Sequence, residues 1–176
     1  NPDLLLNFEI AIPSLDEQRE ISNTLQEVDT VIARQKLVLE ELRGLEQNLF
    51  DSQFLEANWE STLSELAEVQ IGPFGSLLHA SDYVSGGIPV LNPTHIKGTS
   101  VIPDNDLTVS QQLAESLSKY RVQENDVILG RRGEMGRAGV ITKELEGALC
   151  GTGSVIVRPR SASAVWLRAL LSSTRM

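Results

Sequence analysis

From Ser14 to about residue 56 the chain runs without a proline, and apolar residues recur four and three apart at Ile21, Leu25, Val28, Ile32, Leu39, Leu42 and Leu49. Gln35 and Glu46 stand where that rhythm lapses. This is the heptad-like stripe of a helix that packs along another helix. At ~1.5 Å per residue the segment makes a rod of about 55–60 Å. A small domain does not cover a rod of that length, so a partner helix is expected rather than an amphipathic helix lying on its own domain. Its start is marked by Ser14-Leu15-Asp16-Glu17, a capping box in which Ser14 and Glu17 each satisfy the other's backbone N–H. Asp16 and Glu17 also suit the positive end of the helix dipole. Leu37, Val38 and Leu45 widen the stripe and Gly44 interrupts it, so the orientation of the pairing is not legible.

Around this helix the pattern changes. Residues 4–12 read as an apolar strand that stops at Pro13, giving a segment 1–13, a long helix over 14–56 and a globular domain over 57–176. The domain opens with a short helix over Leu63–Glu68, followed by brief apolar runs between turns rich in Gly, Pro, Asn and Asp. Val127–Leu129, Gly139–Ile141 and Ser154–Val157 are expected as strands of a small mixed sheet, and residues 111–119 and 162–172 as helices. The fold class is therefore α/β, of the α+β kind: one mixed-sheet domain attached to a long coiled-coil-forming helix.

Charge separates the two parts. Residues 1–70 hold 4 basic and 15 acidic residues, a net of −11, whereas residues 71–176 hold 11 and 9, a net of +2, within a total of −9. The total argues against a nucleic-acid partner, and only the division by position leaves room for one. No apolar stretch approaches the roughly 20 residues of a membrane span, and the opening Asn1-Pro2-Asp3 lacks a signal peptide's basic flank. The single cysteine, Cys150, fits a reducing compartment and reads as a packed thiol beside the Gly151-Thr152-Gly153 turn. A cytoplasmic location is expected. The chain carries no glycine-rich dinucleotide fingerprint, no phosphate-binding loop and no Cys/His set with metal spacing. Neither an enzymatic activity nor a cofactor or metal is expected.

What remains is a series of glycine-flanked polar blocks. Ile12-Pro13-Ser14-Leu15-Asp16-Glu17-Gln18-Arg19-Glu20-Ile21 resembles the run that opens the spacer helix of type I restriction-modification specificity subunits. Trp59 with Leu63 and Leu66, then Ile71-Gly72-Pro73-Phe74-Gly75-Ser76, is similar to the start of their target-recognition domain, and Gly86–Ile96 to its next block. Asn125–Arg137 and Gly151–Ser154 resemble two more, in the family's order. The resemblance implies a non-catalytic subunit that recognises a bipartite double-stranded DNA sequence. It also implies methyltransferase and restriction subunits docked on it, with the helix setting the distance between half-sites. A full subunit of that family carries two recognition domains and two long helices. The chain thus reads as a fragment, a half-subunit or a permuted unit, paired through Ile21, Leu25, Val28, Ile32, Leu39, Leu42 and Leu49 with a second copy or second half-subunit.

The loops suit that role. Arg131, Arg132 and Arg137, interrupted by Gly133 and Gly136, can contact phosphates or fork onto guanine. Arg131 is expected at a phosphate, and Arg132 or Arg137 at a base. Glu134 can accept from cytosine or simply pair with Arg132. Thr94, His95 and Lys97 flank an Asn-Pro turn able to enter a groove, although His95 can equally be a surface or capping residue. Ser76 and His79 are open between phosphate contact and turn chemistry, and Thr152 joins the set from the Gly-Thr-Gly turn. Phe74 reads as a core anchor, and Gly72, Gly75, Gly133, Gly136 and Gly151 as serving backbone geometry first. The rival reading is a coiled-coil assembly module whose domain binds protein and no DNA, which the charge balance favours.

Overall fold

The structure, a computed structural model, describes residues 11–54, 61–73, 75–131 and 136–173. The chain falls into two units, Asn1–Asn48 and Leu49–Met176. Helix α1, Leu15–Phe54, is a continuous 40-residue rod. The expected capping box forms. Ser14 N donates to Glu17 Oε2 at 2.9 Å, and Glu17 N donates to Ser14 Oγ at 3.4 Å. The Ser14 hydroxyl also holds the Glu17 carboxyl below its usual range by hydrogen bonding. Gln18 closes the same turn by donating from its side chain to Pro13 O at 2.8 Å. All the stripe residues, Ile21, Leu25, Val28, Ile32, Leu39, Leu42 and Leu49, are exposed. Of the strand expected over 4–12, residues 4–10 lie outside the described residues, while Ala11 and Ile12 are irregular.

Gly44 carries the weakest helix propensity in α1, and a Cβ added there meets nothing within 4 Å. Gly44→Ala is therefore expected to stabilise the helix by about 1 kcal/mol. An upward shift of the thermal melt in far-ultraviolet circular dichroism checks this, and no shift or a fall would contradict it.

After α1, the second unit continues with one helical turn, α2 (Leu63–Leu66), which passes directly into strand β1 (Ala67–Ile71). The helix expected over Leu63–Glu68 thus ends early. Ala67 and Glu68 face Pro159 and Arg158 across a strand pair, and that ladder overrides local helix propensity. The remaining strands are β2 (Tyr83–Val84), β3 (Ile88–Leu91), β4 (Ile96–Lys97), β5 (Ser100–Val101), β6 (Thr108–Val109), β7 (Val127–Gly130), β8 (Ala138–Val140), β9 (Leu149–Cys150) and β10 (Ser154–Pro159). Helix α3 spans Gln111–Ser116, capped by Ser110 Oγ accepting from Leu113 N at 3.2 Å, and α4 spans Ala164–Ser172.

The mixed-sheet domain is built from two four-stranded sheets and a ribbon. The first sheet, in the order β1–β10–β7–β8, is antiparallel throughout. Helix α4 covers one face, with Leu167 and Leu171 packed on Ala67, Val127, Val155 and Val157. The opposite face presents Ile128 and Ile156 to a second cluster that includes Leu91, Ile96, Val122, Ile141 and Cys150. Burial on both faces explains the unbroken apolar runs of β7 and β10. The second sheet, β2–β6–β3–β9, contains the parallel pair, Val90 beside Leu149 and Leu91 beside Cys150. Its core joins Val90, Val109 and Leu149 to Ala114, Leu117 and Tyr120. Strands β4 and β5 form the ribbon, turned at Gly98 with φ of 64°.

Between β7 and β10 lies an ion pair that the pattern of apolar runs does not announce. Asp126, 1% exposed, accepts from Arg158 Nε and Nη2, both at 2.8 Å, and from Gln123 N at 2.7 Å. These bonds raise the guanidinium of Arg158 above its ordinary pKa. Asn125 precedes it with φ of 68°, a left-handed conformation that asparagine tolerates better than most residues.

Candidate nucleic-acid interface

The blocks singled out in the sequence are far apart along the chain and meet in the structure. Where β1 ends, Gly72 N donates to Ser154 O at 3.0 Å. Gly151 N donates to Leu91 O at 2.9 Å, tying the 151–154 turn to the end of β3. Arg131 N donates to Gly153 O at 2.8 Å, and Gly130 N donates to Arg137 O at 2.9 Å. The segments 71–73, 91–97, 130–137 and 151–154 therefore share one site, with residues 132–135 outside the described residues.

Glycine makes this convergence possible. A Cβ on Gly72 would lie 2.1 Å from the Gly151 carbonyl oxygen, and one on Gly151 2.1 Å from Asn92 Oδ1. Backbones pass where no side chain fits. Gly136 has φ of 83°, so it too is required by the chain path. Gly75 differs, since nothing lies within 4 Å of an added Cβ.

The expected contact residues divide into groups. Ser76, His79, Thr94 and Lys97 are exposed. Thr152, Arg131 and Arg137 are half-buried. The guanidinium of Arg131 donates from Nη2 to Thr152 O at 2.8 Å, and that of Arg137 from Nη1 to Ile96 O at 3.4 Å. Hence the described arginines of this loop stitch it to its neighbours. His79 heads a one-turn helix, Ala80–Asp82, and its N–H donates to Asp82 Oδ2 at 2.7 Å. Leu78 anchors that turn in the core with Val90 and Tyr120, on the second sheet. Arg132, Glu134, Phe74 and Trp59 lie outside the described residues.

His95 is corrected by the structure. It is 6% exposed, and its Nδ1 accepts from Asn92 N at 3.2 Å across the turn Pro93–His95. Burial lowers its pKa, with Asp104 opposing and Lys97 adding to the shift. The imidazole is a turn fastener, so Thr94 and Lys97 are left as the exposed side chains of that block. Cys150 is a packed thiol as expected: buried, with its pKa pushed up to about 12 by desolvation. The sequence reading missed Asp126 and Arg158. The available signal was a carboxylate and a guanidinium set directly against apolar strands, where charges require partners.

Among the described residues there is no cluster of His, Cys, Asp and Glu able to hold a metal ion, and no helix long and apolar enough to cross a membrane. No protein-family model and no curated protein matches the chain. Solved structures do. The HsdS subunit from Thermoanaerobacter tengcongensis superposes with a TM-score of 0.53 at 18% identity, over 92% of this chain. The type I restriction-modification S subunit from M. genitalium gives 0.55 at 16% identity, over 90%. A structure described for complex assembly and conformational transition of the type I R-M system gives 0.54 at 18%, over 91%. The chain has the S-subunit fold. It spans 41% of the length of each of these chains. A long helix and a mixed-sheet α/β domain are the features that this chain has in common with that fold.

Proposed function

We propose that this chain recognises a bipartite double-stranded DNA sequence as a non-catalytic S subunit, or part of one, of a type I restriction-modification complex. The observation that carries this reading is the convergence of the four blocks in a domain with the S-subunit fold. Loops packed backbone on backbone hold exposed polar side chains still, and a rigid base is what direct reading of base edges needs. Thr94, Lys97 and Ser76 supply the exposed groups, and the 131–137 loop supplies positive charge. The long helix sets the distance between half-sites and carries methyltransferase and restriction subunits. It pairs with the helix of a second copy or second half-subunit along the exposed stripe.

The test is a titration of the chain, assembled with its partner subunits, against a duplex that the wild type selects from a random pool and against a scrambled duplex. Several salt concentrations are needed. Lys97→Ala is expected to weaken both duplexes alike and to flatten the salt dependence by about one unit of slope, as for a lost phosphate contact. Arg132→Ala is expected to lose about 1–3 kcal/mol on the selected duplex alone. If the wild-type assembly selects no duplex, the domain is a protein-interaction module and the DNA reading fails.

A further inference from the structure

Arg131 holds two loops of the interface together with both its backbone and its side chain. Its N–H donates to Gly153 O at 2.8 Å, and its Nη2 donates to Thr152 O at 2.8 Å. Its Nε is buried, out of reach of any ligand at the surface. Beneath the same turn lies the thiol of Cys150, within the field of the guanidinium. That thiol donates to Gly151 O at 3.6 Å and lies 3.1 Å from the place where a Cβ on Gly72 would stand. The guanidinium and the thiol thus both bond to carbonyls of the same turn.

We propose that Arg131 is a positioning residue: its guanidinium fixes the Gly151-Thr152-Gly153 turn, so that Thr152 is presented at one place, and it takes no part in phosphate contact. The sequence had suggested the opposite role. A short charge-assisted bond to a carbonyl, made by a fork whose Nε is already enclosed, is directed at the fold. This deepens the DNA-recognition reading and rests on it for its consequence. The strut itself has a readout that needs no DNA.

Cys150 is the only cysteine in the chain, and the thiolate is the reactive form. Its rate of alkylation by iodoacetamide, well below the unfolding transition, therefore reports opening of the turn above it. The experiment compares wild type, Arg131→Ala and Arg131→Lys in the full chain assembled with its partner subunits. Each is also titrated with the selected duplex across salt concentrations. Arg131→Ala is expected to raise the alkylation rate about tenfold, the worth of one charge-assisted hydrogen bond, and to weaken duplex binding without changing the salt slope. Arg131→Lys keeps the charge but loses the fork, and is expected to raise alkylation several-fold. It decides the matter alone if the alanine variant does not fold. Because the guanidinium also favours the thiolate, the charge-keeping variant is decisive: alkylation at the wild-type rate in folded Arg131→Lys overturns the proposal, as does a salt slope lowered by about one unit in Arg131→Ala. If the wild type selects no duplex, the DNA reading falls, while the alkylation ratio still settles whether Arg131 is a strut.

Discussion

Replacing Asp126 with alanine is expected to destabilise the globular unit by about 3 kcal/mol, which for a domain of this size lowers the melting temperature by roughly 10 °C or more. The carboxylate is 1% exposed and holds both a bidentate Arg158 and the N–H of Gln123. Its removal leaves a guanidinium that is only 32% exposed with the Arg121 carbonyl at 3.3 Å but no paired carboxylate, and breaks the turn that starts β7. Removing one partner of such a pair costs more than the pair contributes, because the other charge stays behind without compensation. Two controls separate the terms. Arg158→Met with Asp126→Leu removes both charges and is expected to recover much of the loss. Asp126→Asn keeps the shape and an acceptor, so it should fall between wild type and alanine. Chemical denaturation of the single and double variants checks the order. A double variant no more stable than Asp126→Ala would show that packing, not the uncompensated charge, sets the cost.

The second large effect is expected on α1. Val28 is 50% exposed and Ile32 46% in a stripe that runs the length of the helix. If that stripe is buried against a partner helix, Val28→Asp with Ile32→Asp places two carboxylates in an apolar seam. Each unpaired buried charge costs about 3 kcal/mol, or more than a hundredfold in association. The expected result is dissociation to monomer and loss of much of the helical signal, since a helix on its own is held only marginally in water. Sedimentation with circular dichroism distinguishes the cases. A double variant that keeps the wild-type mass, or a wild type that is already a helical monomer at micromolar concentration, removes the seam.

Much of this architecture could be read from the residues, for physical reasons that also explain the failures. Helix α1 was legible because its capping box and its period are local. Strands β7 and β10 were legible because burial on both faces demands unbroken apolar runs. Strand β1 was not, since Leu63–Glu68 has helix-like composition and only the distant partner β10 makes Ala67 and Glu68 extended. The parallel pair β3–β9 joins Val90 to Leu149, and no local pattern encodes such a pairing. At the site, the glycine-flanked blocks were visible as a series, but the direction of each side chain was not. An arginine on a glycine-rich loop finds carbonyls on neighbouring loops as readily as it would find phosphate, as Arg131 and Arg137 show. His95 was open between a groove contact and a surface or capping residue, and the turn settles it by folding the imidazole back to accept from the Asn92 N–H.

The crossing at Gly72 and Gly151 has a consequence for how a binding specificity of this kind can be altered. Position 72 has a backbone carbonyl where a methyl group would go, so a substitution there moves a loop, and one at position 151 displaces the Asn92 side chain. Ser76, Thr94 and Lys97 project from that frame into solvent and carry no such constraint. Mutational tolerance is thus split between neighbouring residues on the same loops. If the proposed DNA reading holds, a library that randomises the outward positions and leaves the glycines alone is expected to change the duplex selected while keeping the wild-type melting temperature, whereas substitution at Gly72 is expected to lower it.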